Sequence, residues 1–350
     1  MPQAIFIGGK PVGDGHPCFI VAEIGVNHNG DAELAKKLIA SAAECGADAV
    51  KSQKRTVEDI LIRSALEKPY DSPTALAPTY GEHRNKLELG EDAWEALRDF
   101  AADRNVIFFA SVWDKKSADF LELLGAPAYK IASADLTNLP LLEHIAEKKK
   151  PIIMSTGMST LEEIDEAVET ILPRNKDLIL MHTVSDYPCA EDKVNLRMIG
   201  VLKNRYGLPV GYSGHETGIA IAVAARALGA AVIEKHFTLD RAMPGPDHAS
   251  SLEPEGPRRE VKYIRVAIDP AMGDGLKRIT ENELKARAKL AKSVAAKEFI
   301  PRGAAIAEHM LAVKGPGTGL KPKYLKTLVG KTAQIDILED TLIPKEALEW

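Results

Sequence analysis

This sequence of 350 residues has few cysteines and lacks long apolar runs, and both facts exclude classes of protein. It contains only three cysteines, Cys18, Cys45 and Cys189, and their odd number and wide spacing favour neither a disulfide framework nor a cysteine-based zinc site. No run of about 18 apolar residues occurs, so no membrane-spanning helix is expected. The first residues lack the basic segment and apolar run of an export signal. We therefore expect a cytoplasmic protein.

An excess of charge of one sign is also missing. The 45 Lys and Arg residues and the 50 Asp and Glu residues leave a net charge of -5. The basic residues are spread along the chain, so neither a nucleic-acid footprint nor a membrane-binding patch is expected. The composition instead favours a small-molecule partner.

Short apolar runs alternate with helical patterns, and this alternation predicts parallel strands joined by crossover helices. Helices are indicated over residues 31–43, 92–103 and 160–170, the last opened by a capping box of Ser159 with Glu162 or of Thr160 with Glu163. The eight predicted strands are residues 18–23, 48–53, 106–111, 128–133, 151–155, 178–182, 209–213 and 231–236. Eight such strand-helix units, closed on themselves, predict an α/β fold, the TIM (β/α)8 barrel.

The pattern changes near the C-terminal end of the chain, which divides the sequence into unequal parts. We predict a barrel domain over residues 1–280, a helical linker over 281–292 and a small turn-rich domain over 293–350. Within the barrel, residues 58–89 are longer than a usual strand-to-helix connection and contain three prolines. We interpret this segment as a loop that covers the active site.

Two histidines stand at the carboxyl ends of consecutive predicted strands, His215 after residues 209–213 and His236 within residues 231–236. Neighbouring parallel strands lie about 5 Å apart, and their carboxyl ends open on the catalytic face of this fold. One divalent metal ion could then contact both imidazoles. We therefore predict that His215 and His236 are metal ligands.

The other strand ends carry side chains suited to an anionic substrate. Lysine and serine donate hydrogen bonds to phosphate and carboxylate oxygens, and a lysine buried in a strand is costly unless an anion compensates its charge. Lys51 and Gln53, like Glu234 and His236, are two residues apart and so share one face of a strand. The strand-end candidates are Glu23, Lys51, Gln53, Ser111, Lys130, Ser133, Ser155, His182, Ser213, His215, Glu234 and His236.

Seven short motifs, in the correct order along nearly the whole chain, resemble the sialic acid synthase family. They are residues 22–30 (AEIGVNHNG), 50–53 (VKSQ), 129–133 (YKIAS), 154–158 (MSTGM), 211–215 (GYSGH), 234–238 (EKHFT) and 245–248 (GPDH). The C-terminal part resembles that family's SAF domain, an antifreeze-like β-clip fold. The resemblance implies condensation of phosphoenolpyruvate with an open-chain sugar aldehyde, such as N-acetylmannosamine, to a nine-carbon 2-keto-3-deoxy acid and phosphate.

The resemblance also implies roles for individual residues and partners. A divalent ion, Mn2+ or alternatively Mg2+ or Co2+, would be held by His215 and His236, and phosphoenolpyruvate by Lys51 and Lys130. A homodimer is implied in which each SAF domain covers the partner's barrel. The implied catalytic residues are Glu23, Lys51, Lys130, His215 and His236. The implied substrate-binding residues are Gln53, Ser111, Ser133, Ser155, His182, Ser185, Tyr187, Ser213, Glu234, Asp247 and Lys314.

One departure from the family pattern concerns the acceptor sugar. Gly315 stands where bacterial members commonly have an arginine that recognises the sugar's acetamido group, while the covering loop and the Ser213-Gly214-His215 sequence look more like the animal-type branch. We therefore hypothesise an acceptor that carries a 6-phosphate or lacks the acetamido group, as mannose 6-phosphate does. Alternatively, a nearby lysine such as Lys314 takes over the role of the arginine.

Two other interpretations stay open at this point. Lys130 could act as the nucleophile of a Schiff-base pyruvate aldolase if desolvation lowers its pKa. The chain could also be a sugar-binding homologue without turnover. Against that interpretation, a pure binding protein has little need for the combination of Lys51, Lys130, His215 and His236.

Overall fold

The computed structural model describes residues 4–348, and the chain divides into two compact units after Gly273. The sequence predicts this boundary at residue 280, followed by a linker over residues 281–292. The first unit ends before that position, and most of the expected linker forms the helix Glu281–Leu290 within the second unit. Thr280 begins this helix with a capping box to Glu283, which explains why the segment is regular.

The first unit contains a closed barrel of eight parallel strands, as predicted, preceded by a short antiparallel hairpin of β1 and β2. The barrel order is β10-β3-β4-β5-β6-β7-β8-β9. The strands of this unit are β1 Ile5–Ile7, β2 Lys10–Val12, β3 Phe19–Glu23, β4 Ala49–Lys54, β5 Ile107–Val112, β6 Tyr129–Ile131, β7 Ile152–Ser155, β8 Leu178–Thr183, β9 Val210–Gly214 and β10 Val232–His236. Each predicted barrel strand is found, with its ends shifted by at most two residues.

The amino-terminal hairpin closes one end of the barrel. Ile5, Ile7 and Val12 are buried and pack in one cluster with Phe19 and Ala49, at the starts of the barrel strands. This apolar plug leaves the opposite, carboxyl end of the strands open for a site. The hairpin was not among the predicted elements.

Helices surround the strands, and the pattern of their buried faces follows the period of an amphipathic helix. Thr160 and Glu163 form the capping box predicted for α8. Trp94 is completely buried against Phe108 and Phe120. The helices are α1 Ala32–Glu44, α2 Val57–Ile60, α3 Arg63–Leu66, α4 Tyr80–Lys86, α5 Glu91–Ala102, α6 Lys115–Leu123, α7 Leu139–Glu147, α8 Leu161–Ile171, α9 Met198–Tyr206, α10 Ala220–Ala227, α11 Glu255–Lys262, α12 Asp269–Met272, α13 Glu281–Leu290 and α14 Leu325–Leu328. A π-helical turn, Tyr263–Ile268, follows α11.

The segment interpreted as a covering loop contains three short helices, α2, α3 and α4. The buried His83 ring lies 4.6 Å from the ring of Tyr70. Arg55, almost fully buried just before the segment, pairs with Glu88 at its end. These contacts hold parts of the segment in place, and its residue Arg84 lines the barrel cavity.

The second unit has its own apolar core and a two-stranded antiparallel sheet, β11 Ser293–Ala296 and β12 Leu311–Lys314. Val294, Ile300 and Ile337 are among its buried residues. Lys314, at the end of β12, is half exposed and forms an ion pair with Asp340. The glycine-rich stretch that begins at Gly315 follows directly, as the turn-rich pattern predicted.

No helix within residues 4–348 is both long enough and apolar enough to cross a membrane.

Candidate active site

A cavity of about 310 Å³ opens at the carboxyl ends of the barrel strands. Alternate residues of a strand face the same side, so the last inward-facing residue of each strand contributes to one shared wall. Of the predicted site residues in the first unit, only His182 is not among those that line this cavity; Lys314 belongs to the second unit. The predicted residues that line it are Glu23, Lys51, Gln53, Ser111, Lys130, Ser133, Ser155, Ser185, Tyr187, Ser213, His215, Glu234, His236 and Asp247.

The expectation that His182 contacts substrate is corrected by the register of its strand. His182 pairs with Tyr212 across β8 and β9 and shares its outward side, whereas the next residue, Thr183, pairs with Ser213 and lines the cavity. The His182 Nε2 atom donates to the carbonyl of Val194 at 2.6 Å. It is therefore one of the satisfied structural histidines that strand ends often carry, and Thr183 takes the predicted place.

The two buried lysines have anionic partners within the protein itself, which offset the cost of burying their charges. Lys51 forms an ion pair with Glu23, lies 3.7 Å from Glu234 and donates to the Ser111 hydroxyl at 2.8 Å. Lys130 donates to the Ser155 hydroxyl at 2.6 Å and lies 3.9 Å from the same oxygen of Glu234. Glu234 thus stands between both ammonium groups, and the four charges form one buried cluster.

Within this cluster, burial and the neighbouring charges shift the pKa values of the two lysines and the two glutamates in different directions. Burial raises the pKa of Glu23 to about 7, with Lys51 acting against the shift and Glu234 adding to it. Burial lowers the pKa of Lys130 to about 8, although Glu234 opposes the change. Burial also acts against the charge of Lys51, but the carboxylates of Glu23 and Glu234 prevail and raise its pKa. The pKa of Glu234 is lowered because both lysines outweigh the effect of burial.

Serine hydroxyls converge at Gly157, just after the end of β7. The amide of Gly157 donates to the Ser133 hydroxyl at 3.0 Å. A Cβ atom at position 157 would lie 2.4 Å from the Ser185 hydroxyl and 2.8 Å from that of Ser133. Only glycine therefore allows both hydroxyls to approach this turn. Together with Lys130 and Ser155, they provide donors suited to phosphate or carboxylate oxygens.

The two histidines lie side by side at the ends of the neighbouring strands β9 and β10, with their ring centroids 5.5 Å apart. His215 donates from Nδ1 to the carbonyl of Val184 at 2.7 Å, which leaves the lone pair on Nε2 for another partner. The Nδ1 atom of His236 is buried without a hydrogen-bond partner and lies 3.6 Å from Asp247. Burial lowers the pKa of His215 to about 4 and that of His236 to about 3, so both rings are neutral at physiological pH.

These features fit a metal ion held by two imidazoles. The neutral form is the one that binds metals, and a hydrogen bond from the other ring nitrogen commonly orients such a ligand. Within residues 4–348 no group of three or more His, Cys, Asp or Glu residues has the geometry of a metal site. Two protein ligands would leave the remaining positions of an octahedral ion to water and substrate.

Polar residues that suit a hydroxylated substrate line the mouth. Gln53 donates to Glu23 at 3.2 Å, and its carbonyl oxygen accepts from Arg55 at 3.0 Å, so its amide orientation is set from both ends. The ring of Tyr187 lies 4.0 Å from that of His215. Asp247 lines the same region, and burial raises its pKa against the opposing effect of Arg55.

Besides Thr183, five residues that were not predicted line the cavity, two of them the alanines Ala132 and Ala134 that follow β6. Arg84 comes from α4 of the covering segment, Trp113 follows β5, and Met158 follows the Gly157 turn. The Trp113 indole nitrogen is buried without a hydrogen-bond partner. Strict alternation along β8 would have indicated Thr183, whereas no local pattern marks Arg84, because its position depends on the path of residues 58–89.

The fold and this site define a class of protein: a (β/α)8 barrel enzyme whose cavity combines two lysines, a set of hydroxyl donors and a histidine pair. Comparison with known proteins narrows the class. Residues 38–277 match the NeuB family, and residues 291–349 match the SAF domain. The chain belongs to the NeuB family, which confirms the resemblance inferred from the motifs.

Its relatives cover nearly the whole chain. Human N-acetylneuraminate-9-phosphate synthase is 41% identical over 343 residues, 97% of this chain and 95% of that protein. The N,N'-diacetyllegionaminic acid synthase of Campylobacter jejuni is 42% identical over 328 residues, 93% of this chain and 98% of that protein. The crystal structure of the N-acetylneuraminic acid synthetase from Leptospira borgpetersenii superposes with a TM-score of 0.74 at 34% identity, covering 82% of this chain and 95% of that one. The protein is thus a transferase of the sialic acid synthase type, which condenses phosphoenolpyruvate with a sugar.

Proposed function

We propose that the protein joins phosphoenolpyruvate to the aldehyde carbon of an open-chain, 6-phosphorylated hexose or acylamino-hexose. The products are a nine-carbon 2-keto-3-deoxy sugar acid and inorganic phosphate. The observation that carries the proposal is the meeting of Lys51 and Lys130 with His215 and His236 in one cavity. The lysines suit the anionic groups of phosphoenolpyruvate, and the histidines suit an ion beside the aldehyde.

The reaction can be written with balanced atoms and electrons. The C2–C3 double bond of phosphoenolpyruvate supplies the electron pair that forms the new carbon–carbon bond, and the aldehyde oxygen takes a proton. Water adds to the cationic C2 and loses one proton to a base. The bond between C2 and the phosphate oxygen then breaks, and its electron pair leaves with phosphate. In the same step the second water proton passes to the departing phosphate, and C2 becomes a ketone.

Residues of the buried cluster are suited to these steps. Lys51 and Lys130 hold the carboxylate and phosphate groups while charge moves, which is electrostatic stabilisation in a site prepared in advance. Glu23, whose pKa is raised to about 7, can take the proton of the attacking water near neutral pH. When bound to His215 and His236, an ion such as Mn2+, Mg2+ or Co2+ would polarise the aldehyde as a Lewis acid.

Arg84 supports a phosphorylated acceptor. It lines the cavity, and its guanidinium donates to the hydroxyl of Tyr80, at 2.9 Å from Nε. Lys51 and Lys130 are compensated by carboxylates, but Arg84 forms no ion pair within the described residues. A cation of this kind at the mouth suits the 6-phosphate of a sugar whose aldehyde lies near the histidines.

A second candidate acceptor is an unphosphorylated diacetamido sugar. The 42% identity to the legionaminic acid synthase of Campylobacter jejuni is as high as the identity to the human 9-phosphate synthase, and it favours this alternative. In this case Arg84 would bind a neutral oxygen of the sugar and would contribute less to affinity.

A substrate panel with phosphate release as the readout tests both the proposed reaction and the proposed acceptor sugar. We expect release from phosphoenolpyruvate only with a sugar and a divalent ion, and a higher kcat/KM with N-acetylmannosamine 6-phosphate or mannose 6-phosphate than with N-acetylmannosamine. A clear preference for unphosphorylated N-acetylmannosamine would contradict the proposal that the acceptor is a 6-phosphorylated sugar. A covalent adduct between pyruvate and Lys130 after borohydride reduction, without phosphate release, would contradict the reaction and support a Schiff-base aldolase.

The Arg84→Met and Arg84→Lys variants test the role of the guanidinium. Loss of a charge-assisted hydrogen bond costs roughly 1.5–3 kcal/mol, so we expect KM for the phosphorylated sugar to rise at least about tenfold in Arg84→Met and less in Arg84→Lys. KM for phosphoenolpyruvate should stay unchanged in both. Equal effects on phosphorylated and unphosphorylated sugars would contradict phosphate recognition by Arg84.

We also propose that the protein works in the cytoplasm as a homodimer, as its family likeness implies. Light scattering is expected to give twice the chain mass of 37.9 kDa. A monomer that retains full activity would contradict the dimer proposal.

A further inference from the structure

A buried polar cluster lies on the outward side of the strands that carry the two histidines. Tyr212 and Lys235 alternate with the cavity residues Ser213 and Glu234 and therefore face away from the cavity. Glu216 follows His215 and lies on that outward side with them. The three side chains that we call the outer cluster are Tyr212, Glu216 and Lys235.

The outer cluster is closely hydrogen-bonded and buried. Lys235 donates to a carboxylate oxygen of Glu216 at 2.9 Å and to the backbone carbonyl of the same residue at 2.7 Å. The Tyr212 hydroxyl donates to the second carboxylate oxygen at 2.6 Å. Glu216 is 1% exposed and Lys235 is 5% exposed. Removing both charges from water costs about as much free energy as the ion pair returns, so a buried pair of this kind is weak evidence of net stabilisation. We therefore consider which backbone segments the pair holds in place.

Gly214 provides the space for this contact. A Cβ atom at position 214 would lie 2.5 Å and 2.9 Å from the two carboxylate oxygens of Glu216 and 2.6 Å from the Tyr212 ring. The absence of a side chain between Ser213 and His215 therefore allows the carboxylate to fold back onto β9. The position of the Glu216 carboxylate therefore requires glycine at position 214.

A second carboxyl group faces the cluster from helix α11. Glu260 is 2% exposed, and one of its oxygens has no hydrogen-bond partner within the described residues. Burial raises its pKa to about 8, with Lys235 opposing the shift and Glu216 adding to it. Glu260 is therefore mostly protonated at neutral pH, and the charge of Lys235 is balanced by Glu216.

We propose that Glu216 and Lys235 are positioning residues for His215 and His236. Each charged residue is the chain neighbour of one histidine, and the strands are paired here through Lys235 and Gly214. The ion pair between Glu216 and Lys235 joins the end of β10 to the segment after β9 on the outward side of the barrel. The imidazoles of His215 and His236 lie on the cavity side of the same two segments. An ion that binds both rings requires both nitrogens at fixed positions, so a slip between these segments weakens binding directly. This inference rests on the proposed metal role of the histidines.

The experiment measures Mn2+ binding by metal-free protein, using calorimetry, together with the thermal midpoint in the absence of metal. Glu216→Gln keeps the size of the side chain and removes its charge. Tyr212→Phe removes one hydrogen bond and provides a milder variant if the first does not fold. Asp269→Asn is the matched control, because Asp269 pairs with Arg226 and accepts from the Cys18 amide near the start of β3, at the other end of the barrel.

We expect the affinity for Mn2+ to fall about 10- to 100-fold in Glu216→Gln, the range found for residues that orient metal ligands, and to fall less in Tyr212→Phe. The control should lose thermal stability while its affinity stays within about twofold of wild type. Lys235→Arg should retain more affinity than Lys235→Met.

Three results would overturn the inference. Unchanged affinity in both Glu216→Gln and Tyr212→Phe would show that the cluster does not position the histidines. An equal loss of affinity in Asp269→Asn would show that affinity simply follows stability. Wild-type protein that binds no Mn2+ while releasing phosphate normally would contradict the metal role itself, and the positioning role with it.

Discussion

Raising the pH should remove the charge of Lys130 before that of any other cation in the cluster. Burial lowers the pKa of Lys130 to about 8, whereas Glu23 and Glu234 raise the pKa of Lys51. An amine is protonated below its pKa, so the form of Lys130 that can hold an anion is present below about pH 8 and is lost above it. We therefore predict an alkaline limb in the pH dependence of kcat/KM for phosphoenolpyruvate.

The size of this effect follows from the titration of a single group. At pH 9 about nine-tenths of Lys130 would be neutral, and kcat/KM should fall about tenfold for each further pH unit. The profile of kcat/KM for phosphoenolpyruvate reports the enzyme that has not yet bound phosphoenolpyruvate. Bound phosphoenolpyruvate adds negative charge beside Lys130, so the corresponding limb in kcat should lie at higher pH.

The assay is the initial rate of phosphate release between pH 6.5 and 9.5, at low phosphoenolpyruvate with saturating sugar and metal and at constant ionic strength. Lys130→Arg is the matched variant, because a guanidinium remains charged throughout this range. Its overall activity should be lower, but its alkaline limb should be displaced beyond pH 9.5. A limb at the same pH in Lys130→Arg, or a flat wild-type profile up to pH 9.5, would refute the assignment to Lys130.

Three further predictions concern the metal, the serine wall and the core. Treatment with a chelator should abolish phosphate release, Mn2+ should restore it, and activity that survives complete demetallation would contradict the role of the histidines. Gly157→Ala should raise KM for phosphoenolpyruvate at least about tenfold, because its Cβ would lie 2.4 Å from the Ser185 hydroxyl. Gly200→Ala is the control and should match wild type, because no atom lies within 4 Å of its new Cβ. Trp94→Ala should lower the free energy of unfolding by about 3–5 kcal/mol in urea titrations, since Trp94 is fully buried, and a loss below about 1 kcal/mol would contradict its role in the core.

Local sequence patterns were sufficient for the barrel and for most of the strand-end residues that line its cavity. Each strand is a short apolar run between turn signals, and each predicted strand was found. The sequence indicated a capping box before α8 but left two adjacent pairs open, and the structure forms the one between Thr160 and Glu163. Lys51 and Lys130 could be assigned to the cavity because a charged residue within an apolar strand must face either a partner or a site.

Contacts between segments distant in the chain could not be predicted in this way. His182 and Thr183 are adjacent, and the register of β8 against β9 decides which of them faces the cavity. Arg84 reaches the cavity through the path of a segment with its own internal contacts. The outer cluster joins Glu216 to Lys235, which are 19 residues apart, and no periodic pattern reveals such a pairing.

The order of the elements, the fold class and the chemical types of the strand-end residues therefore follow from the chain alone, because hydrophobic period and capping act over a few residues. The side of the strand on which each polar residue stands, the partner of each buried charge and the separation of the pKa values of Glu23 and Lys130 arise only in the folded barrel. They depend on strand register and on removal from water, which are set by residues far apart in the sequence.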